Sequence, residues 1–540
     1  MLSVFPVLAI NLYAQSLTPA VDELKIAERY IPYFYFPYEP QPVERRFEGL
    51  LYPKMVHFIS KTDWRPVLLR ELPIRSDEND MVIYTLVVNT DLSWHGEDGL
   101  VGRSLHVYDI KFSYEFYFRY NKDISRWLGD FIDFSEIVTD EGANTVKIIS
   151  SASLPLEAFS INIFPYNFDG QKPINDVDYK YQGNESLQNS YFRGPKWVAS
   201  SVIPVRDSHT NEKAEFNTNK FKHRSDEMKP LFRKVIFERH DLWTSHNLLM
   251  QQFIDIEPEM PISLIPFTKR NYLEVAPVLT DKVTVLVFNS ERLNYQQRKL
   301  LTRLVDKKVI KEKAFGQSEF SGEIITSDGV LPTTDRYYTD LAELSRKQFP
   351  PIDLQDYSLR KEIRKKAEKL FSNGKPLQYV YTSFFLSNNI QYDSYKKIGD
   401  HLAGQYAQVG IDVQEVFIPN YNDFLRRLKE SKFDIALIHI PIRYNNLGFY
   451  FNCRQDDCWS DFFHPTKDLA LESLFDQLDY NSPEDLGTLF MGIQEKIIQK
   501  NYMVYLFEVT NFTMYRSKIV GFQTNFTNYY QEFYKWDKIP

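Results

Sequence analysis

Chemistry in a protein needs nucleophiles, paired carboxylates or metal-ligating groups held at short range, and this chain gathers few of them. Its two cysteines, Cys453 and Cys458, are separated by four residues, Asp456 and Asp457 among them, with Asp461 and His464 just beyond. Thiolate, imidazole and carboxylate are all zinc ligands, but zinc sites show tighter paired spacing and a fourth ligand at a recognisable distance. A local disulfide in an oxidising compartment, or a plain loop, fits better, and no metal is assigned. Trp94-His95-Gly96-Glu97-Asp98 gathers one His and two acids. Turn-forming residues after a strand account for them with less effort. The chain has no Gly-x-Ser-x-Gly elbow, no His-Glu-x-x-His helix and no phosphate loop, and its 20 glycines do not cluster. No catalytic residue and no cofactor is predicted; the chain does not read as an enzyme.

The elements around these residues follow from periodicity. Residues 81–90 are β-branched and apolar and read as a strand, as do 283–289. Residues 105–121 predict a helix with Asp109 in its first turn, where the helix dipole favours an acid. A second helix is expected over 295–313. Residues 359–371 form an amphipathic helix with Asn373-Gly374 as its stop signal. Strands at 378–382, 413–418 and 434–440 then alternate with helices at 395–409 and 421–430. Such alternation builds an α/β lobe with a mostly parallel sheet. Ligands of these lobes bind at the carboxyl ends of the strands, which points to the segment after Ile440. The polar, Lys-rich stretch 206–230 reads as exposed connections.

A chain of 540 residues exceeds what one core fills, so two or three lobes are expected. No apolar run reaches the roughly 18–20 residues of a membrane helix. A net charge of −8 argues against a nucleic-acid partner, because phosphate binding needs a basic surface. The 35 Tyr, 41 Phe and 7 Trp suit a ligand cleft, although most aromatic residues in any fold fill the core. Residues 1–14 are apolar, lack Lys or Arg, and end in small residues before Gln15 and Ser16. They are either a signal segment or a buried first strand.

Several segments, in order, resemble the family 5 extracellular solute-binding proteins, which serve ABC importers of oligopeptides, dipeptides and nickel complexes. They are Phe47-Glu48-Gly49-Leu50-Leu51; Tyr84-Thr85-Leu86 with Asp91-Leu92-Ser93-Trp94-His95-Gly96; and Leu105 to Glu115. Arg193-Gly194-Pro195 follows, then Phe288-Asn289 with Arg298 and Asp306, Gly410-Ile411-Asp412-Val413, Phe433-Asp434-Ile435-Ala436, and Val520-Gly521-Phe522. The match spans about residues 45 to 525. It implies a two-lobed α/β periplasmic-binding-protein fold of three domains with a hinged cleft. The first domain would comprise 16–44, 190–275 and 503–540, an inserted domain 45–189, and the second lobe 276–502. Residues 1–15 would be a signal segment and the protein periplasmic or otherwise extracytoplasmic. Its partners would be a peptide or related small solute and an ABC permease in the membrane, with the binding protein itself a monomer. The rival is a sensor or interaction protein that kept the fold without import.

The departures from the family pattern bear on the ligand. Peptide-binding members carry an Asp after the strand that ends near Ile440, where it pairs with the peptide ammonium. Here Arg443 falls at that place, followed by Tyr444 and Asn445. A guanidinium repels an ammonium and pairs with carboxylate or phosphate, so an anionic or N-blocked solute is expected. A shifted alignment, or an acid paired with Arg443, is the plainer alternative. Tyr35, Phe36, Tyr38 and Glu39 occupy the place where relatives lay backbone beside the ligand; the other reading makes these aromatics lobe core. His106 replaces the family's usual helix-capping Thr, a change of small consequence.

Overall fold

The computed structural model describes residues 23–31, 47, 50–60, 63–79, 81–96, 101–120, 128–129, 132, 136–151, 153–166, 202–205, 208–218, 232–260, 262, 265, 270–316, 322–372, 374–382, 389–442, 447, 451, 469–478, 483–522 and 536–538. The apolar stretch 1–14 lies outside them. Among the described residues no helix is long and apolar enough to cross a membrane.

Strand β1 (Glu23–Glu28) belongs to the central sheet, and a separate unit follows it. That unit holds a hairpin of β2 (Val56–Ser60) and β3 (Asp63–Pro66), then β4 (Ile74–Glu78) and β5 (Met81–Val87). A short pair, β6 (Ser93–His95) and β7 (Val101–Ser104), leads into helix α1 (Val107–Tyr120), followed by β8 (Ile137–Asp140) and β9 (Thr145–Ser150). Strands β4, β5, β9 and β8 form an antiparallel sheet in that order. The strand expected over 81–90 and the helix over 105–121 are both present. Tyr84 and Leu86 alternate with half-buried neighbours along β5, the mark of a sheet covered on one face.

One buried carboxylate organises this unit. Asp109, fully enclosed, accepts hydrogen bonds from the Trp94 indole at 3.1 Å, Arg103 at 2.8 Å, the His106 backbone at 2.8 Å and the Tyr166 backbone at 2.6 Å. Arg103 supplies the compensating charge that burial of a carboxylate requires. At the start of the helix His106 Nδ1 accepts from the Tyr108 backbone at 3.4 Å. Trp94, Tyr114, Phe159 and Phe164 share one core with Ile26 and Phe237 of the central sheet.

The chain returns to that sheet with β10 (Val202–Pro204), β11 (Lys213–Thr218), β12 (Lys234–Arg239), helix α2 (Leu242–Met250), β13 (Ile256–Met260) and the long β14 (Leu273–Phe288). Stretch 206–230 is thus not all connection, because β11 lies within it as an antiparallel partner of β12. Its half-buried Glu215 pairs with Lys213 and Lys234, which lets a charged sequence form a strand. Strand β1 runs parallel to both β12 and β13. Helix α2 is pinned over them: Arg29 forms an ion pair with buried Glu257 and donates to Ser245 Oγ at 2.5 Å.

Next come α3 (Tyr295–Arg303), α4 (Lys307–Phe315), α5 (Ala342–Gln348), α6 (Tyr357–Leu370), β15 (Leu377–Tyr381), α7 (Asn389–Ala407), β16 (Val413–Phe417), α8 (Tyr421–Lys429) and β17 (Ile435–Pro441). Helices α9 (Leu469–Leu478) and α10 (Pro483–Lys500) precede the long β18 (Met503–Arg516), and β19 (Ile519–Val520) pairs with β20 (Asp537–Lys538). The single helix expected over 295–313 is two: Asp306 caps α4 by accepting from the backbones of Lys308 at 3.0 Å and Val309 at 3.1 Å. Helix α6 ends before its expected stop signal, with Phe371 as C-cap, and Gly374 takes positive φ in the following turn.

The full sheet has ten strands in the order β10-β11-β12-β1-β13-β18-β14-β17-β15-β16. Strands β15, β16 and β17 are parallel, as expected, but they join a larger mixed sheet through antiparallel β14. Alternation along β17 splits the second half into layers. Ile435 and Leu437 face a core with α3, α4, α6 and α7, whereas Ala436, Ile438 and Ile440 face a core with α8, α9 and α10.

Candidate ligand-binding site

Two strands run through both halves of the sheet. The first part of β14 pairs with the second part of β18 (Leu273↔Arg516 to Leu279↔Thr510), and the register then shifts before Val283↔Glu508. Thr280 Oγ1 closes this irregularity, donating to the Val509 carbonyl at 2.8 Å and accepting from the Lys282 backbone at 3.1 Å. On one side, β13 runs antiparallel to β18 and ends with Met260 opposite Phe512. On the other, β17 runs antiparallel to β14 and ends with Pro441 opposite Lys282. Strands β1 and β12 are parallel to their neighbours on the first side, and β15 and β16 on the second. The carboxyl ends of six strands therefore converge from both sides on the crossing at 279–283 and 508–511. This is where open α/β sheets bind ligands.

Between the converging ends lies a cavity of about 50 Å³, partly open to solvent. Ile262, past the end of β13, lines it from one half; His439 and Tyr395 line it from the other, and Phe507, Glu508 and Phe512 come from the crossing strand β18. His439 and Thr284 face each other across β17 and β14, with Thr284 Oγ1 2.9 Å from His439 Nδ1. The Tyr395 hydroxyl meets Nε2. Burial lowers the imidazole pKa to about 3, with Lys282 adding to the effect, so His439 is neutral at physiological pH. A neutral ring donates at one nitrogen and accepts at the other, which both hydroxyls can satisfy. Burial likewise pushes the Tyr395 hydroxyl well above its usual range. Burial thus disfavours the charged form of both groups. Glu508 accepts from Thr333 at both oxygens, at 2.8 Å from its backbone and 2.7 Å from its hydroxyl. Together these groups form a polar, hydrogen-bonded floor under apolar walls.

Three exposed aromatic side chains also stand at the carboxyl ends: Tyr30 after β1, Trp243 after β12 and Phe417 at the end of β16. Sequence reasoning missed them along with His439 and Tyr395. Their only sequence signal is a place within four residues of a strand end, or on the first turns of a helix that follows one.

The residues singled out from the sequence lie outside the described residues: Arg443, Tyr444 and Asn445; Tyr35, Phe36, Tyr38 and Glu39; Cys453 and Cys458. Ile442 and Ile31 are the described residues that precede the first two groups, and both are buried beside converging strand ends. Among the described residues no three His, Cys, Asp or Glu are gathered as a metal site would need. Residues that carry the family resemblance instead hold the fold. Asn289 donates to the Phe433 carbonyl at 2.9 Å, and Arg298 to the Leu293 and Asn501 carbonyls at 2.7 and 3.1 Å. Asp434 accepts from the Gln378 backbone at 2.7 Å at the amino end of β17, away from the crossing.

No model of a protein family matches the sequence, and no curated protein does. Solved structures do. CtaP of Listeria monocytogenes, an ABC transporter substrate-binding protein, matches with a TM-score of 0.74 and 16% identity over 97% of this chain and 100% of its own. The oligopeptide-binding protein AppA of Bacillus subtilis, solved with a nonapeptide, matches with a TM-score of 0.66 and 14% identity over 96% and 99%. NikZ of Campylobacter jejuni, solved with Ni(L-His), gives 0.67 and 17% over 96% and 100%. These likenesses run the length of both partners, and the chain has the α/β fold of the substrate-binding proteins of ABC transporters.

Proposed function

We propose that this chain is the ligand-binding subunit of an ABC import system, capturing a peptide or related small solute outside the cytoplasm and delivering it to a membrane permease. The observation that carries this is the convergence of six strand ends from two halves on one pair of crossing strands. A ligand there is touched from both sides, so closure about the crossing is favoured only when the ligand is present. The chain is then a monomer of three domains: 16–44, 190–275 and 503–540 make the first lobe, 45–189 an insertion, and 276–502 the second lobe. Residues 1–15 serve as its export signal. Arg443, in place of the acid that would pair with an ammonium, turns preference toward anionic or N-blocked solutes, with Tyr444, Asn445, Tyr35, Phe36, Tyr38 and Glu39 beside the ligand.

A thermal-melt panel tests this with short peptides, their N-acetylated forms, dicarboxylates, sugars and nickel complexes. Ligand at about 100 times its Kd stabilises the folded state by ~2.7 kcal/mol. Blocked or anionic solutes are expected to raise the melt. Stabilisation by free peptides alone removes the role given to Arg443, and no stabilisation by any solute class removes the binding function.

A further inference from the structure

We propose that the junction cavity is a specificity pocket that takes one small uncharged group of the ligand, of one or two carbon atoms. This rests on the peptide-binding function above and narrows it. The cavity measures about 50 Å³. A cavity of roughly 150 Å³ holds a benzene ring, so a third of that volume admits about two carbons. Its walls are apolar, from Ile262, Phe315, Ile324, Phe507 and Phe512. Its floor is polar but already engaged: Thr284 and Tyr395 are bonded to His439, and both Glu508 oxygens are turned onto Thr333. A carboxylate entering would lie against the Glu508 carboxylate, and a lysine or arginine stem is too long for the volume. The pocket is also placed to read the ligand. It is lined from both halves and sits where the strand ends converge, so an occupant buries surface against both halves at once.

Tripeptides of the forms X-Gly-Gly, Gly-X-Gly and Gly-Gly-X, free and N-acetylated, test this by titration calorimetry, with X as Gly, Ala, Ser, Val, Leu, Asp or Lys. At one position Ala and Ser are expected to bind best, with each further methylene weakening affinity by about tenfold or more. Phe507→Ala enlarges the pocket and moves that cutoff to larger X; Phe507→Leu does so with a smaller loss of packing. Ser394→Leu fills the pocket and moves the cutoff toward Gly. Opposite movements cannot come from a common folding defect. Affinity that ignores X at every position, or a cutoff that none of the variants moves, overturns the pocket and leaves the binding function standing. If no tripeptide binds while another solute class does, the peptide reading falls and the pocket falls with it.

Discussion

Burial holds the His439 imidazole neutral down to a pKa of about 3, whereas an exposed imidazole titrates near 6.5. Between those values the unfolded chain binds the proton that the folded chain refuses, so stability falls as pH falls. The loss begins near the unfolded value and amounts to about 2 kcal/mol by pH ~5. His95, His246 and His401, also lowered by burial, bend the profile the same way. The difference between wild type and His439→Asn isolates one ring: urea midpoints at neutral and mildly acid pH should differ less in the variant. An equal loss in both proteins refutes the assignment. The sequence points to the segment that begins two residues past this ring, with no reason to choose His439. Its partner Thr284 lies 155 positions away, and no local spacing reveals a pair made by sheet register. Trp243 and Phe417 were hidden for the same reason, because exposure at a strand end is a property of the assembled sheet.

At the scale of elements, one residue's backbone can decide where a helix ends. Gly410 closes α7 with φ +79°; its own N–H donates to the Ala407 carbonyl and the Ile411 N–H to the Tyr406 carbonyl, both at 3.0 Å. This is the Schellman pattern, which favours glycine because a Cβ strains the left-handed conformation. A Cβ at Gly410 would come no nearer than 3.6 Å to a side chain, so the cost of Gly410→Ala is conformational and not steric. It should be about 1 kcal/mol, read as a lowered urea midpoint with unchanged slope. A neutral substitution would show that the helix end relaxes out of the left-handed region. Two elements depart from their apolar spacing, one through a local cap and one through tertiary pairing. The 295–313 region kept its apolar spacing through Asp306, and the cap that divides it is visible only as a carboxylate on two backbone N–H groups. Strand β14 extends from Leu273, ten residues before the apolar run at 283–289 begins, because β18 pairs with it along nearly its whole length.

At the scale of the molecule, the α/β fold is legible because the fold-holding residues recur in recognisable order, while the ligand is not, because the side chains of Asn289, Arg298 and Asp434 are spent on hydrogen bonds within the fold. Motion about the crossing is a molecular property too. The segment after Ile324 is strapped to β18 by the Ser327 backbone, which donates to the Leu506 carbonyl at 3.0 Å, and by Thr333 on Glu508. Thr334 Oγ1 reaches the Thr280 carbonyl of β14 at 3.4 Å. Two residues on, Arg336 Nη1 stands 3.3 Å from Glu157 Oε2 in the unit that follows β1. Its guanidinium lies 5.5 Å over the ring of Tyr337, which stacks on Phe490 of α10. One short segment thus connects the crossing strands, the second half and the inserted unit. If lobes open about the irregular register at 280–282, this ion pair must stretch or part. Such a half-exposed pair is worth ~0–1 kcal/mol, and ~1 kcal/mol changes a two-state ratio about fivefold. Glu157→Gln should therefore weaken ligand binding by about two- to fivefold, chiefly through faster release, and make affinity less sensitive to added salt. The exchanged pair, Glu157→Arg with Arg336→Glu, should recover both. Titration calorimetry at low and high salt, with scattering radii of free and bound protein, reads the effect. Identical affinity and salt response in wild type and Glu157→Gln would mean the two halves close without help from this contact.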